Sequence, residues 1–279
     1  MHTFETPNPV DLRVELRSGE ILVNAEETTT TTIELEAVGG DAAAQEAIDN
    51  AKVDQRGDKI VVQLPKTRSG LFRGRGEVKA TIRVPLHSNA EIETGSADTR
   101  TRGELGNLKF DSGSGDVEAE FGENVAIRTG SGDMTIGTAA GSFDSKSGSG
   151  DIRVDTIGTT AEVKAGSGDV MLGQVPQGLQ VKTGSGDIVV KQLAGDVDLM
   201  AGSGDVQLKQ VTSGRVRVKT GSGDIVAGIA TGTAAYLDIQ TVTGEVRSSL
   251  ESTDAPTNGE ATVELHLQSG TGDVVLQRT

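Results

Sequence analysis

Residues 166–187 read GSGDVMLGQVPQGLQVKTGSGD, and the phrase that opens and closes this stretch recurs along the chain. Gly-Ser-Gly-Asp, or Gly-Ser-Ala-Asp in its first copy, occurs eight times between Gly95 and Asp224, and successive copies are 17 to 19 residues apart. Its aspartates are Asp98, Asp116, Asp133, Asp151, Asp169, Asp187, Asp205 and Asp224. A fixed period of this kind is typical of stacked supersecondary units, each of which buries its apolar face against its neighbours.

Two pairs of apolar columns appear when the copies are aligned on Asp. Residues one and three positions after Asp are apolar, as in Val170 and Leu172, while the residue between them varies. Residues eight and six positions before Asp are mostly apolar too, as in Val197 and Leu199. Alternation of period two predicts a strand with one buried face. Each repeat is therefore predicted to hold two short strands that stack on those of the next repeat.

The Gly-Ser-Gly-Asp corner is predicted to be a tight turn. Both glycines permit a positive φ, and the small residue four positions before Asp and the Ser two positions before it fit an inner corner. Stacked carboxylates about 4.8 Å apart repel by roughly 1 to 3.5 kcal/mol, so something must offset them. Three candidates stay open: the backbone amides of the corner, a bound cation, or a basic column five positions before Asp. That column contains Arg128, Lys146, Lys164, Lys182 and Lys219.

The aspartate column is also the candidate metal site. Calcium would use Asp133, Asp151, Asp169, Asp187, Asp205 and Asp224. The calcium-binding nonapeptide repeat, however, has half this period and places one residue between its second Gly and Asp. The spacing therefore favours a structural turn, and we predict no cofactor.

A family resemblance follows from these motifs. The repeated Thr-Gly-Ser-Gly-Asp-Ile/Val, together with Arg83-Val-Pro85 ahead of Glu91-Ile-Glu-Thr-Gly95, resembles the bacterial adhesin-like β-strand-repeat domain of unknown function, which is related to the head GIN adhesin-like domains. The resemblance covers nearly the whole chain. It implies a β-helical fold without known catalytic residues.

The predicted fold is all-β: a single-domain parallel β-solenoid of about 18 residues per coil. We expect a right-handed coil, because the apolar columns do not recur at the six-residue interval of left-handed hexapeptide helices. The whole chain, 1–279, forms one domain in this interpretation. Irregular N-terminal coils span 1–94, the regular repeats span 95–227, and irregular C-terminal coils span 228–279. An Ala-rich helix is predicted near 41–50, with Asp41 as its N-cap.

Composition excludes several classes of function. The chain has no Cys or Trp, which removes disulfides and thiolate metal sites, and its formal charge of −15 disfavours nucleic-acid binding. Its three His and six Phe and Tyr residues form no recognisable constellation, so we predict no enzyme activity and no small-molecule substrate. The N-terminal residues show neither a basic nor an apolar leader region, so the expectation is a cytoplasmic protein, either free or peripheral to a membrane.

A basic loop at 66–79 is the candidate partner-binding segment. Its candidate contact residues are Arg68, Leu71, Phe72, Arg73 and Arg75. One interpretation is a hairpin loop whose apolar tip folds back onto the coils. The other is an exposed finger that touches an acidic protein or an anionic membrane surface.

The C-terminal coil leads to the prediction of self-association. Its corner ends at Asp273, only six residues follow, and no segment comes after Val274-Val-Leu276 to cover a strand edge. We therefore expect this coil to pair with another copy of the chain. The predicted function is a non-catalytic structural or self-assembling scaffold, adhesin-like. The alternative is a binding module that uses the flat coil faces or the 66–79 loop to hold a protein, a cell-envelope component or an anionic membrane.

Overall fold

The computed structural model describes residues 1–65, 76–250 and 261–279. These residues are all-β with one α-helix, and the chain divides into two compact units, Met1–Ala139 and Ala140–Thr279. Each unit contains two sheets that are mostly parallel. The predicted single domain stays a prediction.

Unit 1 begins with irregular strands and ends in the first regular repeats. Its strands are β1 (His2–Glu5), β2 (Asp11–Leu16), β3 (Gly19–Glu26), β4 (Thr30–Ala37), β5 (Lys52–Arg56), β6 (Lys59–Gln63), β7 (Val78–Pro85), β8 (Asn89–Thr94), β9 (Asp98–Leu105), β10 (Leu108–Ser112), β11 (Val117–Gly122), β12 (Val125–Thr129) and β13 (Met134–Ala139). A 3-10 turn at Val38–Gly40 precedes helix α1 (Ala42–Asp49).

The two sheets of unit 1 separate the strand after each corner from the strand before it. The first has the order β1-β4-β7-β3-β9-β11-β13 and the second β5-β6-β2-β8-β10-β12. Pairing is antiparallel only at β1–β4, β4–β7 and β5–β6 among these described strands. Glu20 pairs in register with Asp98, so residues 17–20 act as a degenerate copy of the corner.

Helix α1 forms where the sequence predicts it. The Asp41 carboxylate accepts a hydrogen bond from the Ala43 N–H at 2.7 Å, which caps the first turn. The backbone N–H groups of Gly76 and then Ala43 hold the pKa of Asp41 below its usual range. Ala43, Ala44 and Ala47 are buried, and the helix packs on β4.

Unit 2 is the more regular of the two. Its strands are β14 (Phe143–Ser149), β15 (Ile152–Ile157), β16 (Thr160–Ser167), β17 (Val170–Val175), β18 (Gly178–Ser185), β19 (Ile188–Leu193), β20 (Asp196–Ser203), β21 (Val206–Val211), β22 (Gly214–Ser222), β23 (Ile225–Ile229), β24 (Thr233–Thr243), β25 (Val246–Ser248), β26 (Ala261–Thr271) and β27 (Val274–Arg278).

Stacking in unit 2 follows the predicted columns. Val170 pairs in register with Ile188, which pairs with Val206. All three side chains are buried, as are Val163, Val181 and Leu199 at the matching positions of the other sheet. The first sheet has the order β15-β17-β19-β21-β23-β27-β25 and the second β14-β16-β18-β20-β22-β26-β24.

We call the two stacked strands of one repeat a rung. The last two rungs of unit 2 do not stack in the order of the sequence. Strand β26 lies between β22 and β24, and β27 lies between β23 and β25. The predicted free edge on the C-terminal coil is therefore wrong, because both of its strands are paired on both sides. Strands β26 and β27 insert between the preceding rungs, so that β24 and β25 lie one rung further out and cover them. Self-association stays a prediction, but the free strand edge that it requires is not on the rung formed by β26 and β27.

Candidate functional site

The aspartate corners form a chain of side-chain to backbone hydrogen bonds within each unit. In unit 1 the Asp98 Oδ1 accepts from the Asp116 N–H at 3.0 Å. In unit 2 the Asp169 Oδ1 accepts from the Asp187 N–H at 2.9 Å, and the Asp205 Oδ1 accepts from the Asp224 N–H at 2.7 Å. A hydrogen bond to an ionised acceptor is among the stronger ones in proteins. The corner amides therefore offset the repulsion between stacked carboxylates.

The basic column does not serve that purpose in the described bonds. Lys164 pairs with Glu162 beside it on the same strand, and Arg128 lies 3.8 Å from Asp111. The hydrogen bond and charge of Lys164 lower the pKa of Glu162. These are exposed pairs on the strand faces, where ion pairs contribute little to stability.

The corner differs from the prediction in two details. Ser167 is exposed rather than inside the corner, and the small buried position is the one at Ala165. Only the second glycine of the pair 166/168 has a positive φ, 109° at Gly168. Gly166 is required for space instead, because a Cβ there would lie 2.5 Å from the Gly148 carbonyl oxygen. Stacking thus brings backbone against backbone where the sequence suggested only a turn.

The calcium interpretation finds little support in this geometry. The column supplies one carboxylate per rung, and the Oδ1 atoms of Asp169, Asp187 and Asp205 are each engaged by a backbone N–H. Within 1–65, 76–250 and 261–279, no group of three or more His, Asp or Glu side chains is arranged to hold a metal ion. The structural role predicted for this column accounts for its described contacts.

An acidic groove of about 770 Å³ lies on unit 1. Among the described residues, its charged lining consists of Glu20, Glu77, Asp98, Asp116, Glu118, Asp133 and a single cation, Arg100. Arg100 donates to Glu118 at 2.7 Å, and this bond raises the pKa of the guanidinium. The excess of carboxylates would attract a cationic partner and repel an anionic surface.

The predicted contact residues of the basic loop lie outside the described residues. These are Arg68, Leu71, Phe72, Arg73 and Arg75. The described end of the segment reaches the groove, since Lys79 lies 3.4 Å from the Glu20 carboxylate and Glu77 lines the groove. Both interpretations of the loop stay predictions.

The terminal rung of unit 2 exposes apolar side chains that sequence reasoning missed. Tyr236 is 67% exposed and Val242 84% exposed on the outer face of β24, and Val246 of β25 is 48% exposed. Leu237 faces inward in the same column as Leu265 and is nevertheless 36% exposed, whereas Leu265 is fully buried. A signal was available in the spacing of the corners, since Glu245 follows Asp224 by 21 residues and precedes Asp273 by 28.

His266 on β26 forms a side-chain contact with β24, the strand of the terminal rung. Its ring nitrogens lie 2.8 Å from the Glu264 carboxylate on its own strand and 3.2 Å from that of Asp238 on β24. Hydrogen bonds to Glu264 first, and then to Asp238, raise the pKa of His266. Arg215 holds the same Glu264 at 2.8 Å, and Arg217 pairs in register with His266.

No helix in the described parts of the chain is long and apolar enough to cross a membrane. The model of the Toastrack DUF4097 family matches residues 10–277, which confirms the resemblance read from the repeats. No curated protein matches the chain.

Several solved structures match over nearly their full length. A candidate adhesin from Bacteroides fragilis has 12% identity and a TM-score of 0.39, and the match covers 99% of this chain and 95% of the other. A candidate adhesin from Parabacteroides distasonis has 8% identity and a TM-score of 0.40, with coverages of 100% and 96%. A candidate lipid-binding protein from the same organism has 13% identity and a TM-score of 0.34, with coverages of 100% and 95%.

Proposed function

Since this chain belongs to the Toastrack DUF4097 family, we propose that it is a non-catalytic, adhesin-like scaffold that self-assembles, built as a right-handed coil of about 18 residues per turn. The observation that carries the proposal is the chain of aspartate to amide hydrogen bonds. In these bonds the aspartates of the repeat, which are the most regularly spaced polar side chains of the sequence, link each rung to the next.

The remaining charged groups support a structural role. Where the pKa of a described side chain is shifted, an exposed neighbour of opposite charge on a strand face is the main cause in most cases, as for Glu91 beside Lys109 and Glu162 beside Lys164. Catalytic acids and bases are usually perturbed by burial in a cleft as well as by a partner. Most side chains with a shifted pKa lie on solvent-exposed strand faces, beside oppositely charged residues.

Self-association is the testable part of the proposal. Sedimentation velocity of the full chain from about 1 to 100 µM should show a reversible increase in mass, as expected for an interface of micromolar affinity. A single monomeric species over the whole range would overturn the scaffold proposal.

A second candidate function is a binding module for a basic protein segment, favoured by the acidic groove of unit 1. A fluorescent oligolysine peptide should bind the chain with an affinity that falls as salt rises, because the attraction is between exposed charges. Glu77→Gln with Glu118→Gln should weaken that binding. The matched control is Glu34→Gln with Glu36→Gln on β4, outside the groove lining.

Membrane binding by the predicted basic loop at 66–79 can be tested separately. Arg73→Glu with Arg75→Glu should abolish flotation with phosphatidylglycerol vesicles if the loop at 66–79 touches anionic lipid. Unchanged flotation, or no flotation of the unmodified chain, would remove the membrane alternative and leave the protein-binding one.

A further inference from the structure

Strand β24 of unit 2 has an edge that lacks the features which usually prevent pairing with another chain. It is 11 residues long and, within the described residues, hydrogen-bonds to β26 on one side only. Natural edge strands are usually short, charged or interrupted by proline, which prevents pairing with another chain. Residues 233–243 contain no Lys, Arg or Pro, and Asp238 is their single charge.

Within the described residues, the apolar columns of the core also end at this strand. Leu237 and Ile239 continue the columns of Leu265 and Leu267, which are fully buried one rung further in. Leu237 remains 36% exposed and Ile239 half-buried, because the described residues provide no further rung to cover them. Removing such side chains from water is favourable by about 25 cal/mol per Å² of apolar surface.

We propose that β24 is the assembly interface, and that it pairs antiparallel with β24 of a second copy about a two-fold axis at Ile239. This inference rests on the proposed self-assembly and names its surface. In that register Tyr236 of each copy lies opposite Val242 of the other. An aromatic residue opposite a β-branched one is a favourable cross-strand pair. Tyr236 and Val242 are among the most exposed large apolar side chains of the described residues.

The charges select this register over its neighbour. With the axis at Ile239, Asp238 lies opposite Gln240 of the second copy, whose amide N–H can donate to the carboxylate. With the axis at Asp238, the two carboxylates would face each other at about 5 Å, which costs roughly 1 to 3 kcal/mol. Both registers keep the inward columns of the two copies on the same side of the joined sheet, since directly opposed residues point to one face, so the charges decide between them.

A second copy suits this edge because the strand is complementary to itself. Isologous pairing satisfies the backbone groups of both edges at once and closes the assembly as a dimer. An extended segment of an unrelated protein would satisfy only one edge and would not be self-complementary at Tyr236 and Val242.

The first experiment exchanges charge across the proposed pair. Tyr236→Lys with Val242→Lys places like charges opposite each other and should raise the dimer Kd at least about tenfold, which corresponds to about 1.4 kcal/mol. Tyr236→Glu with Val242→Lys restores a complementary pair and should return the Kd to within about threefold of the unmodified chain. Met171→Lys, at an exposed apolar position inside the other sheet, is the matched control and should leave the Kd unchanged.

The second experiment uses the absence of cysteine in the chain. Ile239→Cys would bring two thiols face to face on the axis, where the Cα separation of an antiparallel pair suits a disulfide. Mild oxidation should convert this variant to a covalent dimer, whereas Met171→Cys should stay largely monomeric under the same conditions. This readout does not depend on the strength of the wild-type dimer.

The outcomes separate the two proposals. If the unmodified chain never associates, the scaffold proposal and this interface fall together. If it associates but the charge variants and Ile239→Cys behave like the Met171 controls, only the β24 interface is overturned. Restoration by the Glu and Lys pair together with a covalent Ile239→Cys dimer would establish both the strand and its register.

Discussion

The edge strands of unit 1 and of unit 2 differ in how strongly their side chains oppose pairing with another chain. In unit 1 the second sheet ends at β5, five residues long and antiparallel, with Lys52, Asp54 and Arg56 in alternate positions. The first sheet of that unit begins with the four-residue β1. In unit 2 the second sheet ends at the 11-residue β24, with one charge and two prominent apolar side chains. Within the described residues, one edge carries charges that oppose pairing, and the other is unpaired and carries a single charge.

The proposed interface would let a repeat protein control assembly with few residues. Every rung offers the same ladder of backbone groups, so an unpaired end rung is open to pairing with another copy unless its own side chains oppose it. Under this proposal, length and charge on one strand make that difference. The predictions below test how open the end of unit 2 is and how much the charges of unit 1 protect its edge.

The largest expected effect concerns two glycines at equivalent turns. Gly214 is the first residue of β22, has a φ of 98°, and a Cβ there would lie 2.1 Å from the Gly195 carbonyl oxygen. Gly232 precedes β24, has a φ of 80°, and has open space around that position. Gly214→Ala should lower the free energy of unfolding by about 2 to 6 kcal/mol, the sum of backbone strain and overpacking. Gly232→Ala should lower it by strain alone, about 1 to 3 kcal/mol.

Urea denaturation at about 1 µM protein would measure both glycine variants. Equal losses of stability would mean that the turn before β24 is as crowded as the turn before β22, and that the end of unit 2 is not open.

A second test compares two leucines in one column. Leu265→Ala should cost about 2 to 5 kcal/mol because it leaves a cavity in a fully buried site. Leu237→Ala should cost about 1 kcal/mol or less at low concentration, where its side chain is partly in water. At concentrations that favour assembly, Leu237→Ala should lose more, since the column is then covered. A concentration-independent effect for Leu237→Ala would contradict the proposed burial.

The third prediction removes the charges from the edge strand β5. Lys52→Thr, Asp54→Thr and Arg56→Thr together should create new self-association through β5, while stability should change by only about 0.5 kcal/mol because exposed ion pairs contribute little. The variant is best made with Tyr236→Lys and Val242→Lys, so that association through β24 does not mask the result. Lys52→Arg with Arg56→Lys keeps the charges and is the control. A monomer by sedimentation would show that charge is not what protects this edge.

The smallest effect is a pH dependence at His266. Its hydrogen bonds to Glu264 and Asp238 raise its pKa in the folded chain above the unfolded value of about 6.5. The stabilisation is therefore fully present below pH about 6.5 and is lost as the pH rises through the folded pKa. Arg215 and Arg217 face the same cluster and limit the size of the effect.

Urea midpoints of the unmodified chain and of His266→Gln, measured between pH about 5 and 9, would isolate that contribution. The difference between the two chains should shrink as the pH rises. A difference that stays constant with pH would mean that His266 does not titrate against Asp238 and Glu264 in the folded state.

The columns around the corners could be predicted because they depend on local chemistry. Val170, Leu172 and their counterparts are inward because alternate residues of a strand share a face, and the structure confirms this. The cap at Asp41 follows from the same kind of local rule. The acceptor role of Asp169 toward the next rung was one of three alternatives, and only the stacked geometry decides among them.

Local sequence patterns are sufficient to predict that each repeat forms two strands and a glycine corner, because side-chain alternation and backbone freedom are properties of a few neighbouring residues. The insertion of β26 and β27 ahead of β24 and β25, and hence the identity of the edge strand, emerges from the folded chain alone. The reason is that neighbouring rungs carry similar apolar columns and equivalent corners, so many pairings of rungs satisfy the local pattern. Their order is settled by how well whole rungs stack, which no single repeat records.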